Sequence, residues 1–204
     1  MPDPTTIQQP KQLLLEGADP CAFFASLIRR LALPLIQLQN FGGIDQLRPF
    51  LKALAISPHF SERVGVVAVI RDAEADPRAA YQSVTDAISH AGLTPPPRPG
   101  EISRGTSPLT AVYVLPDPFS PGMLETLCVS ALTGEPDFHC VDEFLACVAL
   151  GSPNPPTNQH KARLYSYLAS RQRPGLRIGP AAEANYLALD APQFQPLIAF
   201  LRSL

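Results

Sequence analysis

Four short apolar runs punctuate the first 120 residues: Gln12–Leu15, Leu35–Gln39, Val64–Ile70 and Ala111–Leu115. Those ending at Leu15 and Ile70 are continuous rather than alternating, the pattern of a strand buried on both faces of a parallel sheet. Between the runs the apolar spacing changes to that of helices. Asp19-Pro20 opens a segment with Phe23, Phe24, Leu27, Ile28 and Leu31 on one face. Asn40-Phe41-Gly42-Gly43 turns the chain, and Asp45 is placed to cap a helix bearing Leu47, Phe50, Leu51 and Leu54. Asp76-Pro77 starts a third helix, carrying Tyr81, Val84 and Ile88 and stopping near Gly92. Val64–Ile70 is the most hydrophobic run and is expected at the centre of the sheet. Past the last strand, Met123–Leu132, Phe138–Leu150, Lys161–Ser170 and Pro196–Leu204 read as helices. Strands alternating with helices predict an α/β fold: a parallel sheet of about four strands flanked by helices, with right-handed crossovers. Residues 10–120 form the expected core, and 121–204 a mostly helical extension packed on the same domain.

Composition narrows this picture. A chain of 204 residues with 46% hydrophobic and 17% charged residues suits one ordered domain. The net charge of −2 gives no general polycation for loose binding to nucleic acid, although it does not exclude a local basic strip. Proline is frequent, 24 residues, and its clusters at 95–108 and 153–156 read as stiff extended loops. Cys21, Cys128, Cys140 and Cys147 form no Cys-x-x-Cys pair, so buried, reduced thiols of a cytoplasmic protein are expected rather than a zinc site. Met1-Pro2-Asp3-Pro4 does not begin a charged segment followed by an apolar one, so no signal peptide is expected. No run approaches the ~18 apolar residues of a membrane span.

Candidate chemistry lies in the turns after the strands. Leu13-Leu14-Leu15-Glu16-Gly17 and Val69-Ile70-Arg71-Asp72-Ala73-Glu74-Ala75-Asp76 each deliver acids to the carboxyl edge of the sheet, where open α/β folds keep their functional crevice. Carboxylates gathered there raise one another's pKa unless a cation neutralises them, and hard oxygen ligands favour Mg²⁺ or Mn²⁺. In this order across a βαβαβα pattern, Leu15-Glu16-Gly17, Phe41-Gly42-Gly43 and Asp72-Ala73-Glu74-Ala75-Asp76 resemble a Toprim domain over residues 10–120. Pro121-Gly122-Met123-Leu124-Glu125 and Lys161-Ala162 extend the resemblance to stand-alone bacterial Toprim-like proteins related to the OLD-type nucleases.

The resemblance implies a glutamate after strand one and an Asp-x-Asp after strand three, matched by Glu16 and Asp72. Glu74 stands where the family has its second aspartate; it keeps the charge and adds a methylene. Asp76 either supplies the short carboxylate or caps the next helix, since Asp before Pro is itself a helix-start signal. A later glutamate and lysine complete the site in the OLD-like relatives, and Glu125 and Lys161 are the candidates. Glu125 also suits the first turn of a helix electrostatically, and Lys161 also reads as a surface lysine.

The expected metal set is therefore Glu16, Asp72, Glu74, Asp76 and Glu125, and the expected catalytic set Glu16, Asp72 and Lys161. No P-loop, Gly-x-Gly-x-x-Gly, Gly-x-Ser-x-Gly or His-Glu-x-x-His occurs. A receiver domain would need an acid pair after strand one, and a haloacid-dehalogenase phosphatase an Asp-x-Asp there; this chain has Glu16-Gly17. The expectation is a Mg²⁺- or Mn²⁺-dependent nuclease acting on DNA or RNA, partnered by a separately encoded ATPase. The alternative is a Toprim-like binding or regulatory subunit that has lost catalysis.

Overall fold

The computed structural model describes residues 6–105 and 107–204. Met1-Pro2-Asp3-Pro4, and residue 106 in the Pro-rich segment, lie outside the described residues. The elements in chain order are β1 (Lys11–Leu15), α1 (Ala18–Arg30), β2 (Ile36–Asn40), α2 (Ile44–Ala55), α3 (Phe60–Arg63), β3 (Val66–Asp72) and α4 (Pro77–His90). They continue with β4 (Leu109–Leu115), α5 (Leu124–Leu132), α6 (Phe138–Gly151), α7 (Gln159–Ala169), α8 (Ile178–Glu183) and α9 (Gln195–Ser203). The fold is α/β, with helices flanking a four-stranded parallel sheet and predominating in the C-terminal part.

The strands lie in the order β2-β1-β3-β4, so β1 and β3 are adjacent at the centre. Alternation along each strand feeds two cores. Leu13, Leu15, Ala68, Ile70, Ala111, Tyr113 and Leu115 face a cluster built with α1, α5, α7, α8 and α9. Leu14, Val67, Val69, Val112 and Val114 face the cluster of α2, α3 and α4. Burial on both faces is what the continuous apolar runs require, each large side chain contributing about 1.5–3 kcal/mol.

Several boundaries differ from the sequence expectation, for local reasons. β3 runs two residues past Ile70, because Arg71 and Asp72 pair in register with Val114 and Leu115. Asp72 is therefore the last strand residue rather than a turn residue. Gly17 and Gly43, not Asp19 and Asp45, precede the first turns of α1 and α2, which places both aspartates within those turns. The helix over Ile178–Glu183, with Gly179 and Pro180 inside it, has no apolar period to announce it.

All four cysteines are free thiols, but Cys140 and Cys147 are exposed rather than buried. Both lie on α6, which buries Phe138 and Val141 and presents most of its remaining apolar residues outward. No helix among the described residues is long and apolar enough to cross a membrane.

Candidate functional site

Parallel strands in register bring Leu15 beside Ile70, so the residue after β1 and the last residue of β3 meet at one edge. Glu16 is held by α2: its Oε1 accepts the backbone N–H of Ile44, 3.1 Å away. Asn40, at the end of β2, clamps the neighbouring turns, its Oδ1 accepting from Gly17 N at 3.0 Å and Gly42 N at 2.9 Å. Gly42 adopts φ +86°, a conformation glycine takes without strain, and the chain can therefore double back into α2.

Asp72 is held by a second helix start. Its Oδ1 accepts the N–H of Leu124, the first residue of α5, at 2.9 Å. A two-way backbone bridge locks that helix start onto the β3–α4 turn: Glu74 N donates to Gly122 O and Gly122 N to Glu74 O, both at 2.8 Å. Glu74 takes the left-handed φ of +53° to make it. Burial pushes the Asp72 carboxyl up to about 7; the Leu124 hydrogen bond opposes this, and the charges of Glu125, Glu74 and Glu16 add to it.

Glu125, in the first turn of α5, is largely buried, its side chain 14% exposed. Lys161 reaches across from α7 to place Nζ 3.8 Å from Glu125 Oε1, with 53% of its side chain exposed. Asn158 caps α7 through the N–H of Lys161 at 2.9 Å, fixing where the lysine emerges. Glu16, Asp72, Glu125 and Lys161 thus line one cleft of about 300 Å³ at the carboxyl edge of the sheet. Asp19 and Arg177 complete its rim, Arg177 Nη1 lying 2.8 Å from Asp19 Oδ2. Arg177, at the start of α8, has no sequence signal beyond being one of several arginines in a Pro-Gly-rich stretch.

Two members of the sequence-derived metal set stand elsewhere. Glu74 does not line the cleft; its side chain is exposed and its structural contribution is the backbone bridge to Gly122. Asp76 caps α4, its Oδ1 accepting from Arg78 N at 2.9 Å and Ala79 N at 3.2 Å. Among the described residues, no three His, Cys, Asp or Glu side chains converge into a ready-made metal cage. Glu16, Asp72 and Glu125 are the carboxylates of the cleft that could hold an ion, and such an ion would keep most of its water. Mg²⁺ does so, typically binding through one or two carboxylates together with substrate phosphate.

A family described as "Protein of unknown function (DUF3226)" has a sequence model that matches residues 10–204. The chain belongs to the DUF3226 family. Comparison with curated proteins and with solved structures returns no match. The DUF3226 match takes in every strand and both walls of the cleft, from Glu16 to Arg177.

Proposed function

We propose that this chain is a cytoplasmic, metal-dependent phosphodiesterase of DNA or RNA on a Toprim-like frame. Glu16, Asp72 and Glu125 would hold Mg²⁺ or Mn²⁺. The observation that carries the proposal is Asp72: half-buried at the end of β3, its carboxyl raised to about 7, and set among like charges with a lysine at the rim of the same cleft. A bound ion supplies Lewis acidity toward the scissile phosphate and lowers the pKa of bound water.

The chain's own residues do the rest. The N–H groups of Ile44 and Leu124 fix the Glu16 and Asp72 carboxylates before substrate arrives, so no reorganisation is needed later. Lys161 neutralises charge that develops on the phosphate oxygens, and Arg177, paired with Asp19 at the rim of the cleft, orients the phosphate. A separately encoded ATPase is the partner implied by the likeness to OLD-type proteins, since no P-loop occurs here.

The test is cleavage of a panel of single-stranded, double-stranded and nicked DNA and RNA with Mn²⁺. Wild type should cleave at least one member. Asp72→Asn should abolish that cleavage without unfolding the protein. Lys161→Ala should lower kcat more than it weakens metal binding. A second reading, a binding module without catalysis, is favoured by the exposed Glu74 and the absence of a ready-made three-ligand cage among the described residues. A wild-type protein that cleaves nothing on the panel, or an equally active Asp72→Asn protein, would establish it.

A further inference from the structure

α6 has two apolar faces. Phe138, Val141, Leu145 and Val148 are its buried and half-buried positions. On that side Phe138 packs on Tyr167, ring centroids 5.5 Å apart, and Asp142 accepts from Arg163 Nε at 2.7 Å and Nη2 at 2.8 Å. Cys140, Phe144, Cys147 and Gly151 follow one another at four, three and four residues, and all are exposed. Phe144 is 56% exposed and Leu150, beside this stripe, 91%. The spacing is that of a seam by which one helix packs on another. Alongside, a groove of about 1180 Å³ opens between α6 and α7, floored by Val141 and Leu145 on one side and Ala162, Tyr165 and Ala169 on the other. A helix apolar on all sides is ordinarily covered, and exposed apolar surface of this kind marks an interaction site.

The charges of the groove select its occupant. Its charged walls are Asp137, Lys161 and Arg171. Asp137 and Arg171 pair with each other, and Lys161 Nζ lies 3.8 Å from Glu125 Oε1. Each therefore already has a partner within the chain, and a basic, acidic or polyanionic ligand gains no new ion pair there. A neutral apolar helix loses nothing by the same arrangement. The chain itself carries one. α6 has 14 residues, about 21 Å in length, without a lysine or arginine, and its Asp142 is committed to Arg163.

We propose that the groove is filled by α6 of a second copy of this chain, packed antiparallel about a two-fold axis that passes between Phe144 and Cys147. Phe144 of each copy then meets Cys147 of the other. Cys140 meets Gly151, where the missing side chain admits a close approach. α6 and α7 of both copies together make a four-helix arrangement with one apolar centre. Glu143 is the acid of α6 that has no ion-pair partner among the described residues. Antiparallel pairing sets it beside Val148 and Leu150 of the other copy. The two Glu143 residues are offset by five positions, about 7.5 Å along the axis, at the solvent edge of the seam. Parallel pairing would hold them at the same height with no cation on either helix, which disfavours it. Lys161 lines both groove and acid cleft, so the pairing places a cleft beside the interface in each copy. It holds whether or not that cleft takes a metal.

The experiment is sedimentation velocity on the full chain over a concentration series in EDTA, with chemical cross-linking of the same samples. Wild type should dimerise by mass action. Phe144→Glu should raise the dimer dissociation constant by about thirtyfold or more, as the loss of a central anchor does, with an unchanged circular-dichroism spectrum. Leu150→Lys should dimerise more tightly than Leu150→Glu by about fivefold or more, because each copy sets residue 150 beside Glu143 of the other. Leu150 is so exposed that neither change disturbs the fold of one copy. A short bismaleimide should couple Cys147 to Cys147 of the other copy, the two offset by about 4.5 Å along the axis. It should not couple Cys140 to Cys140, offset by about 16.5 Å. Wild type that stays monomeric at every concentration would overturn the proposal and leave the groove to a protein of another sequence. A dimer that Phe144→Glu leaves intact would overturn it too, since its interface lies elsewhere. Cys140–Cys140 coupling as efficient as Cys147–Cys147 coupling would overturn the antiparallel register.

Discussion

At the scale of single residues, Asp72 sets burial against charge. Its carboxyl is raised from 3.8 to about 7 in the folded state. This group therefore contributes stability fully below about pH 4, and that contribution is lost as the pH rises through about 7. Asp72→Asn keeps the shape and removes the penalty. In metal-free buffer it should raise the stability at pH 8 by up to roughly 4 kcal/mol and have a much smaller effect at pH 5. Thermal melts of the two proteins across that range check this; a variant less stable than wild type at pH 8 contradicts it. Asp76 gives the opposite kind of prediction. Because its carboxylate caps α4, Asp76→Ala should cost about 1 kcal/mol in urea unfolding and leave Mn²⁺ affinity unchanged. A variant that loses metal with no loss of stability would return Asp76 to the ligand set.

At the scale of elements, the cleft depends on which helix starts face the sheet edge. α5 delivers the Leu124 N–H and Glu125, α7 delivers Lys161, and α8 delivers Arg177 through close packing on α1. Gly179 makes that packing possible: a Cβ there would lie 2.7 Å from the Ala22 carbonyl carbon and 3.0 Å from Phe23 N, with no flexible side chain to yield. Gly179→Ala should destabilise the protein by about 1–3 kcal/mol, read from its unfolding midpoint, and an unchanged midpoint would show that α8 shifts freely. The strands and the helix starts were legible in the sequence because buried parallel strands need unbroken apolar runs and Asp-Pro marks a first turn. α8 was not, since six residues holding a glycine and a proline show no period. The apolar run of α6 marked a helix correctly, but periodicity does not reveal that its outer face is exposed among the described residues. Arg177 escaped notice for a related reason: its position depends on a tertiary contact between α8 and α1, 158 residues apart at the Arg177–Asp19 pair.

At the scale of the whole molecule, a four-stranded sheet with β1 and β3 adjacent gathers Glu16 and Asp72, and the C-terminal helices close over them with Glu125, Lys161 and Arg177. Glu16 and Asp72 could be expected together from the strand pattern alone. Their meeting with Glu125 and Lys161 came only from resemblance, because no local rule connects residues so far apart in the chain. The central claim is that these acids together form a site for a divalent cation. Isothermal titration of Mn²⁺ into metal-free protein at pH 7.5 tests it most directly, with Asp72→Asn as the paired sample. The account predicts saturable binding by wild type, with protons released as Asp72 ionises, and loss of that binding in Asp72→Asn. Wild type that takes up no Mn²⁺, or an Asp72→Asn protein that binds it equally well, would contradict the account.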